Sequence, residues 1–114
     1  MKKYFLLSIL SIIILSMNSC NKIYHINKTE ASFSMNKTTA KVGETIIFTN
    51  LSKHAENPKW LFGDGELSYE NNPIHSYSRA GSFTIDLYVN AKGRSVPPMA
   101  QATKTILITQ TDIK

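Results

Sequence analysis

Cysteine is almost missing from this 114-residue chain: Cys20 is the only one, so no disulfide can form within it and a folded core must hold by packing. Runs of Lys and Arg are missing too. The formal charge is +5, but without Lys2 and Lys3 the excess of basic side chains falls to three. The rest are scattered, without the interleaving of basic and aromatic residues that tracks a nucleic-acid backbone, which excludes nucleic acid as a partner. No segment keeps a helical apolar period long enough to argue for a long helix. No serine stands in a Gly-x-Ser-x-Gly elbow, and phosphate-binding motifs are missing. A glycosidase would need two facing carboxylates in a cleft, whereas a sandwich of roughly 80 residues spends nearly all its interior on its own core. These absences exclude catalysis and imply no cofactor. Zinc is excluded as well, because His25, His54 and His75 are widely separated and the one cysteine lies far upstream.

What the chain does have begins at its first residues. Lys2 and Lys3 precede YFLLSILSIIIL (4–15), an almost unbroken apolar run that is shorter than the roughly 20 residues of a bilayer span. Ser16, Met17, Asn18 and Ser19 then lead to Cys20. This charged, apolar and small-residue order is that of a secretion signal. The stretch LSMNSC resembles the lipobox of bacterial lipoproteins, with Ser19 as the small residue before the cysteine. The resemblance implies a signal peptide at 1–19 and a lipidated Cys20 as first mature residue, and so a membrane partner through the lipid. Asn21, rather than Asp, after the cysteine points by analogy to the outer membrane. A plain signal peptide and an uncleaved anchor are the alternatives the residues leave open. The polar stretch NKIYHINKTE then makes 20–30 a tether.

Beyond the tether, apolar residues alternate. Ile46 and Phe48 share one side and Thr45 and Thr49 the other; Phe83, Ile85, Leu87 and Val89 alternate with Ser82, Thr84, Asp86 and Tyr88; Ile106 and Ile108 continue the habit. This parity marks strands with one buried face, because successive side chains of a strand point to opposite faces. Shorter strands are predicted at 32–36, 59–63 and 74–78. Between them lie VGE, GDGE, ENNP, RAG and the longer NAKGRSVPPMAQ, all rich in turn formers. The expected fold is all-β: an antiparallel β-sandwich of about seven strands over 31–110, followed by a tail at 111–114.

The segment WLFGDGE (60–66) could be a metal loop, a catalytic loop or a tight turn. Trp60 and Phe62 are two apart and face one side, into the core. Gly63, Asp64 and Gly65 then reverse the chain, with Asp64 bonding nearby amides. The order W-L-F-G-D-G-E-L-S, N-P-I-H-S-Y, A-G-S-F-T-I-D-L-Y-V and K-T-I-L-I resembles a PKD domain over residues 31–109. That family implies an immunoglobulin-like sandwich, usually outside the cytoplasm, acting as a binding or spacer module. Its motif falls here on Trp60, Phe62, Gly63, Asp64, Gly65, Pro73, His75, Tyr77 and Gly81, while Leu61 stands where the family often carries Asp. Tyr77 suits a buried corner whose hydroxyl bonds backbone upstream, and His75 a structural hydrogen bond.

Function is then expected at the surface. If Trp60 and Phe62 point in, Leu61 points out, and the same logic turns Tyr88, beside Asp86, and Leu107 outward. These residues predict an apolar platform on one outer face, rimmed by Lys92 and Arg94, for a protein or glycan partner. A structural subunit of an envelope complex is the alternative. A calcium-stabilised spacer is a third reading: Asp64, Glu66 and Glu70, with Asn71 and Asn72, offer the oxygens such an ion needs, against a solvated acidic loop as the simpler account.

Overall fold

The structure, a computed structural model, describes residues 27–93 and 99–111. The expected signal peptide, Cys20, most of the tether, Arg94 and residues 112–114 lie outside the described residues. Eight strands form: β1 (Phe33–Met35), β2 (Thr39–Lys41), β3 (Ile46–Asn50), β4 (Ala55–Leu61), β5 (Leu67–Ser68), β6 (Ile74–His75), β7 (Gly81–Ala91) and β8 (Met99–Thr109). No helix occurs among the described residues. One sheet has the order β1-β3-β6 and the other β2-β8-β7-β4-β5.

The alternation read from the sequence is the alternation of burial. Ile46 and Phe48 of β3, Phe83, Ile85, Leu87 and Val89 of β7, and Ile106 and Ile108 of β8 are all buried, and the residues between them are not. Trp60 is fully buried at the centre. It meets Phe33 edge-on at 5.1 Å and Phe48 at 5.5 Å, so aromatic rings from both sheets interdigitate across the sandwich. No polar or charged residue is buried among those described. The interior is therefore built of apolar and aromatic side chains, and its stability comes mainly from packing.

Three elements depart from the expected pattern. β2, which the sequence does not announce, pairs in parallel with β8 through Ala40 and Ile108, so the sandwich is not wholly antiparallel. Three residues are too few to show a period, and only the partner strand makes them a strand. β4 begins at Ala55 rather than Lys59, passing through Pro58 by a shift of register between Glu56 and Lys59. Proline lacks the N–H that a ladder needs and is tolerated in a strand only at a free edge or a bulge. Here it has both, since β5 covers β4 only at Trp60 and Leu61. Finally, Met99–Gln101 belong to β8, so the β7–β8 connection is shorter than the loop NAKGRSVPPMAQ suggests. At the end of the expected tether, Glu30 and Lys53 exchange backbone hydrogen bonds at 3.0 and 2.8 Å, docking Glu30 onto the sandwich.

Candidate functional site

The two ends of β4 carry the polar residues of most interest. At its C-terminal end the chain reverses through Gly63, Asp64 and Gly65. Gly63 has φ of +88°, and a Cβ there would stand 2.5 Å from the Thr84 carbonyl oxygen, so both conformation and space demand glycine. The Asp64 carboxylate accepts the Glu66 amide at 3.1 Å through Oδ1 and pairs with His75 Nε2 at 2.7 Å through Oδ2. The His75 ring lies parallel to Phe62 at 4.1 Å and edge-on to Tyr77 at 4.8 Å. Tyr77 is buried and donates its hydroxyl to the Phe62 carbonyl at 2.7 Å. Burial, and then the neighbouring Asp64 charge, push the Tyr77 phenol well above its usual pKa and keep it a donor. The Trp60 indole donates to the Glu70 carbonyl at 2.9 Å, and buried Pro73 offers its carbonyl to the Phe48 amide at 3.0 Å. Gly81 opens β7 opposite Ile108.

The motif residues thus bond one another and the backbone. Among the described residues no group of three or more His, Cys, Asp or Glu is gathered so that it could hold a metal, and Asp64, Glu66 and Glu70 are not brought together. The physical reason is direction. Asp64 turns inward to His75 and the turn amide, while Glu66 and Glu70 are exposed.

At the other end of β4 the bulge opens the sheet. Asn57 has φ of +55°, a left-handed conformation that Asn tolerates better than most residues. With Pro58 it walls a groove of about 380 Å³ completed by Lys59, Tyr69, Tyr88, Asn90 and Met99. Lys59 pairs with Tyr88, and Tyr88 with Gln101, so these side chains form a row across the outer face. Tyr69 follows Ser68, the partner of Trp60, and so joins the row beside Lys59. Tyr69 is 67 % exposed, an unusual amount for an aromatic side chain that packs nothing in the core.

The expected binding face is only partly assembled. Leu61 and Asp86 are directly opposite, and Tyr88 is diagonal to Leu61, both half-buried on the outer face. Asp86 accepts Thr103 at 2.6 Å and Gln101 at 3.1 Å. Leu107 points outward as parity demands, but it pairs with Ser82, six positions along β7 from Tyr88. That is about 20 Å at strand rise, so Leu107 is no part of the platform. Lys92 is exposed in the β7–β8 turn, its amide bonded to the His54 carbonyl at 3.2 Å. Sequence reasoning missed Asn57, Pro58, Lys59, Tyr69, Asn90 and Met99. The Asn-Pro dipeptide inside a strand was the available signal for the bulge; nothing local announces Tyr69.

Comparison with known proteins agrees with this architecture. Residues 30–102 match the family model described as PKD domain. Collagenase ColA of Bacillus cereus is 35 % identical over 68 residues, which is 54 % of this chain and 7 % of the collagenase. The PKD1 domain of Vibrio anguillarum Epp superposes with a TM-score of 0.61 at 25 % identity, covering 75 % of this chain and 98 % of that one. The PKD1 domain of the Vibrio cholerae metalloprotease PrtV gives 0.59 at 24 % identity, covering 72 % and 98 %. A carbohydrate-binding module from the beta-sandwich super family gives 0.66 at 20 % identity, covering 74 % of this chain and 35 % of that one, a likeness of fold alone.

Proposed function

Because this chain belongs to the PKD-domain family, whose members are non-catalytic modules, we propose that it is a binding module held outside the cytoplasm by a lipid on Cys20. It recognises a protein or glycan through the outer face of its five-stranded sheet. The observation that carries this reading is the division of labour within the sandwich. The inner faces are fully used by an apolar core, whereas the outer face of β4 and β7 keeps a groove with two tyrosines. Concave sites that join apolar walls to a few polar groups are where proteins bind small ligands and chain segments. The stretch LSMNSC supports the anchor, since a lipid on Cys20 would tether the domain at a bacterial membrane, by the analogy of Asn21 the outer one.

Two measurements test the two halves of the proposal. Mass spectrometry of the membrane fraction should find a diacylglyceryl cysteine at residue 20, and Cys20→Ala should leave the membrane; a variant that stays membrane-bound rejects the lipid anchor. For recognition, full-length protein extracted in detergent is used to capture its partner, with Leu61→Ser/Tyr88→Ser as the comparison. The double variant should melt like the parent and lose the partner. Retention of a stoichiometric partner by the folded double variant would favour a spacer or structural subunit instead, a role suggested by the small share of the collagenase that this region represents.

A further inference from the structure

The groove's lining is chemically lopsided. It contains two tyrosine rings, a proline ring, two primary amides and one ammonium group, and no carboxylate. The acids nearest on the same face are turned to other work: Glu56 accepts the Gly93 amide at 3.0 Å, and Asp86 is held by Thr103 and Gln101. Lys59 forms no ion pair among the described residues, where the salt bridges are Lys37–Glu44 and Asp64–His75. Nor do the side chains of Asn57 and Asn90 have a hydrogen-bonding partner among the described residues. A cation and two amide groups, all capable of donating, thus line a concave surface without a partner among the described residues.

We propose that this groove is a binding site for an acidic polysaccharide, one whose sugar rings carry carboxylates. The inference rests on the binding-module reading and names the ligand class of its outer face. Tyr69 and Tyr88 stand on either side of Lys59, roughly 10 Å apart at two strand spacings, so each can lie against the C–H face of one sugar ring while Lys59 meets a carboxylate between them. Asn57 and Asn90 lie together at the bulge end of that row, since Asn90 is opposite Glu56 beside Asn57, and they donate to and accept from hydroxyls along one flank of the sugar, the bidirectional hydrogen bonding that a primary amide offers. The bulge matters because it turns Asn57 out of the ladder and aims it at the groove. A peptide fits the same surface less well. Extended peptides are captured by backbone pairing along an open sheet edge, and the free edge of β4 beside this groove is interrupted by the bulge and by Pro58, which has no N–H to donate, so the groove's polar contributors are side chains.

The test is calorimetric titration of full-length, detergent-extracted protein with tetragalacturonate, cellotetraose and an acidic oligoglutamate peptide. Tetragalacturonate should bind about tenfold more tightly than cellotetraose, and Tyr88→Ala should weaken it by at least about tenfold. Lys59→Met should abolish the preference between the two sugars while leaving cellotetraose binding in place. Leu107→Ser, far along the same face, should change nothing. Equal affinity of the parent for both sugars overturns the assignment, as does failure to bind either while the melting profile stays native. If the peptide binds and the sugars do not, the glycan assignment falls and the binding-module reading survives. If no titrant binds and no partner is captured by the parent, both fall.

Discussion

The two ends of β4 lie on one strand and have opposite characters. At the C-terminal end Asp64, His75, Tyr77 and the Trp60 indole each find a partner inside the domain, at 2.7 to 3.1 Å. At the N-terminal end Asn57, Lys59 and Tyr69 point to a groove and face no partner among the described residues. An acid between two glycines is therefore the more chemical-looking sequence and the more structural site. Polar groups that satisfy one another internally have no bonding capacity left for a ligand, whereas polar groups left open on a concave surface keep it.

The contrast is most severely tested at Trp60. Trp60→Ala should cost about 3–5 kcal/mol in chemical unfolding, the usual range for removing a large buried aromatic. A domain of this size holds about 5–10 kcal/mol, so the variant should be near unfolding. A loss below about 1 kcal/mol would mean that the aromatic centre is not what holds the two sheets together. Gly63→Ala should come next, at about 2–4 kcal/mol, since it combines a disfavoured backbone conformation with a collision against the Thr84 carbonyl. Gly65→Ala should cost less than Gly63→Ala, because no atom lies within 4 Å of a Cβ built there. Equal losses would place the whole cost in φ.

Asp64→Ala should cost about 1 kcal/mol by removing hydrogen bonds to His75 and the Glu66 amide. If stability is untouched and binding of a partner disappears, the two ends of β4 have exchanged roles. At the opposite end, Asn57→Gly and Tyr88→Ser should each shift stability by no more than about 0.5 kcal/mol, as exposed or half-exposed positions outside the core do. Their effect belongs in binding. A large loss of stability at either position would show the bulge to be a packing element, which would blur the distinction between the two ends.

Much of the fold was legible in the residues because a strand's side-chain period of two is local. The inward positions Phe83, Ile85, Leu87, Val89, Ile106 and Ile108 follow from counting, and so do the outward positions Leu61, Tyr88 and Leu107. Trp60 and Phe62 were legible as core for the same reason. The Tyr77 corner followed from general sandwich logic and appears as a 2.7 Å bond to the Phe62 carbonyl. The bond between Asp64 and His75 was not legible, because it joins the turn after β4 to β6 of the other sheet, which only the reversal at Gly63 and Gly65 brings together.

By itself, then, the sequence determined which faces of the strands are apolar, where the chain must reverse and that the core would be free of disulfides. Tertiary structure alone decided how far one strand slides along the next. That slide sets Leu107 beside Ser82 rather than beside Tyr88, makes a strand of Thr39–Lys41 by pairing it in parallel with β8, and opens the groove at Asn57 and Pro58. Parity is a property of each residue and its neighbours along the chain. Register is a property of two strands at once, fixed by the core they share and by the turn that joins them.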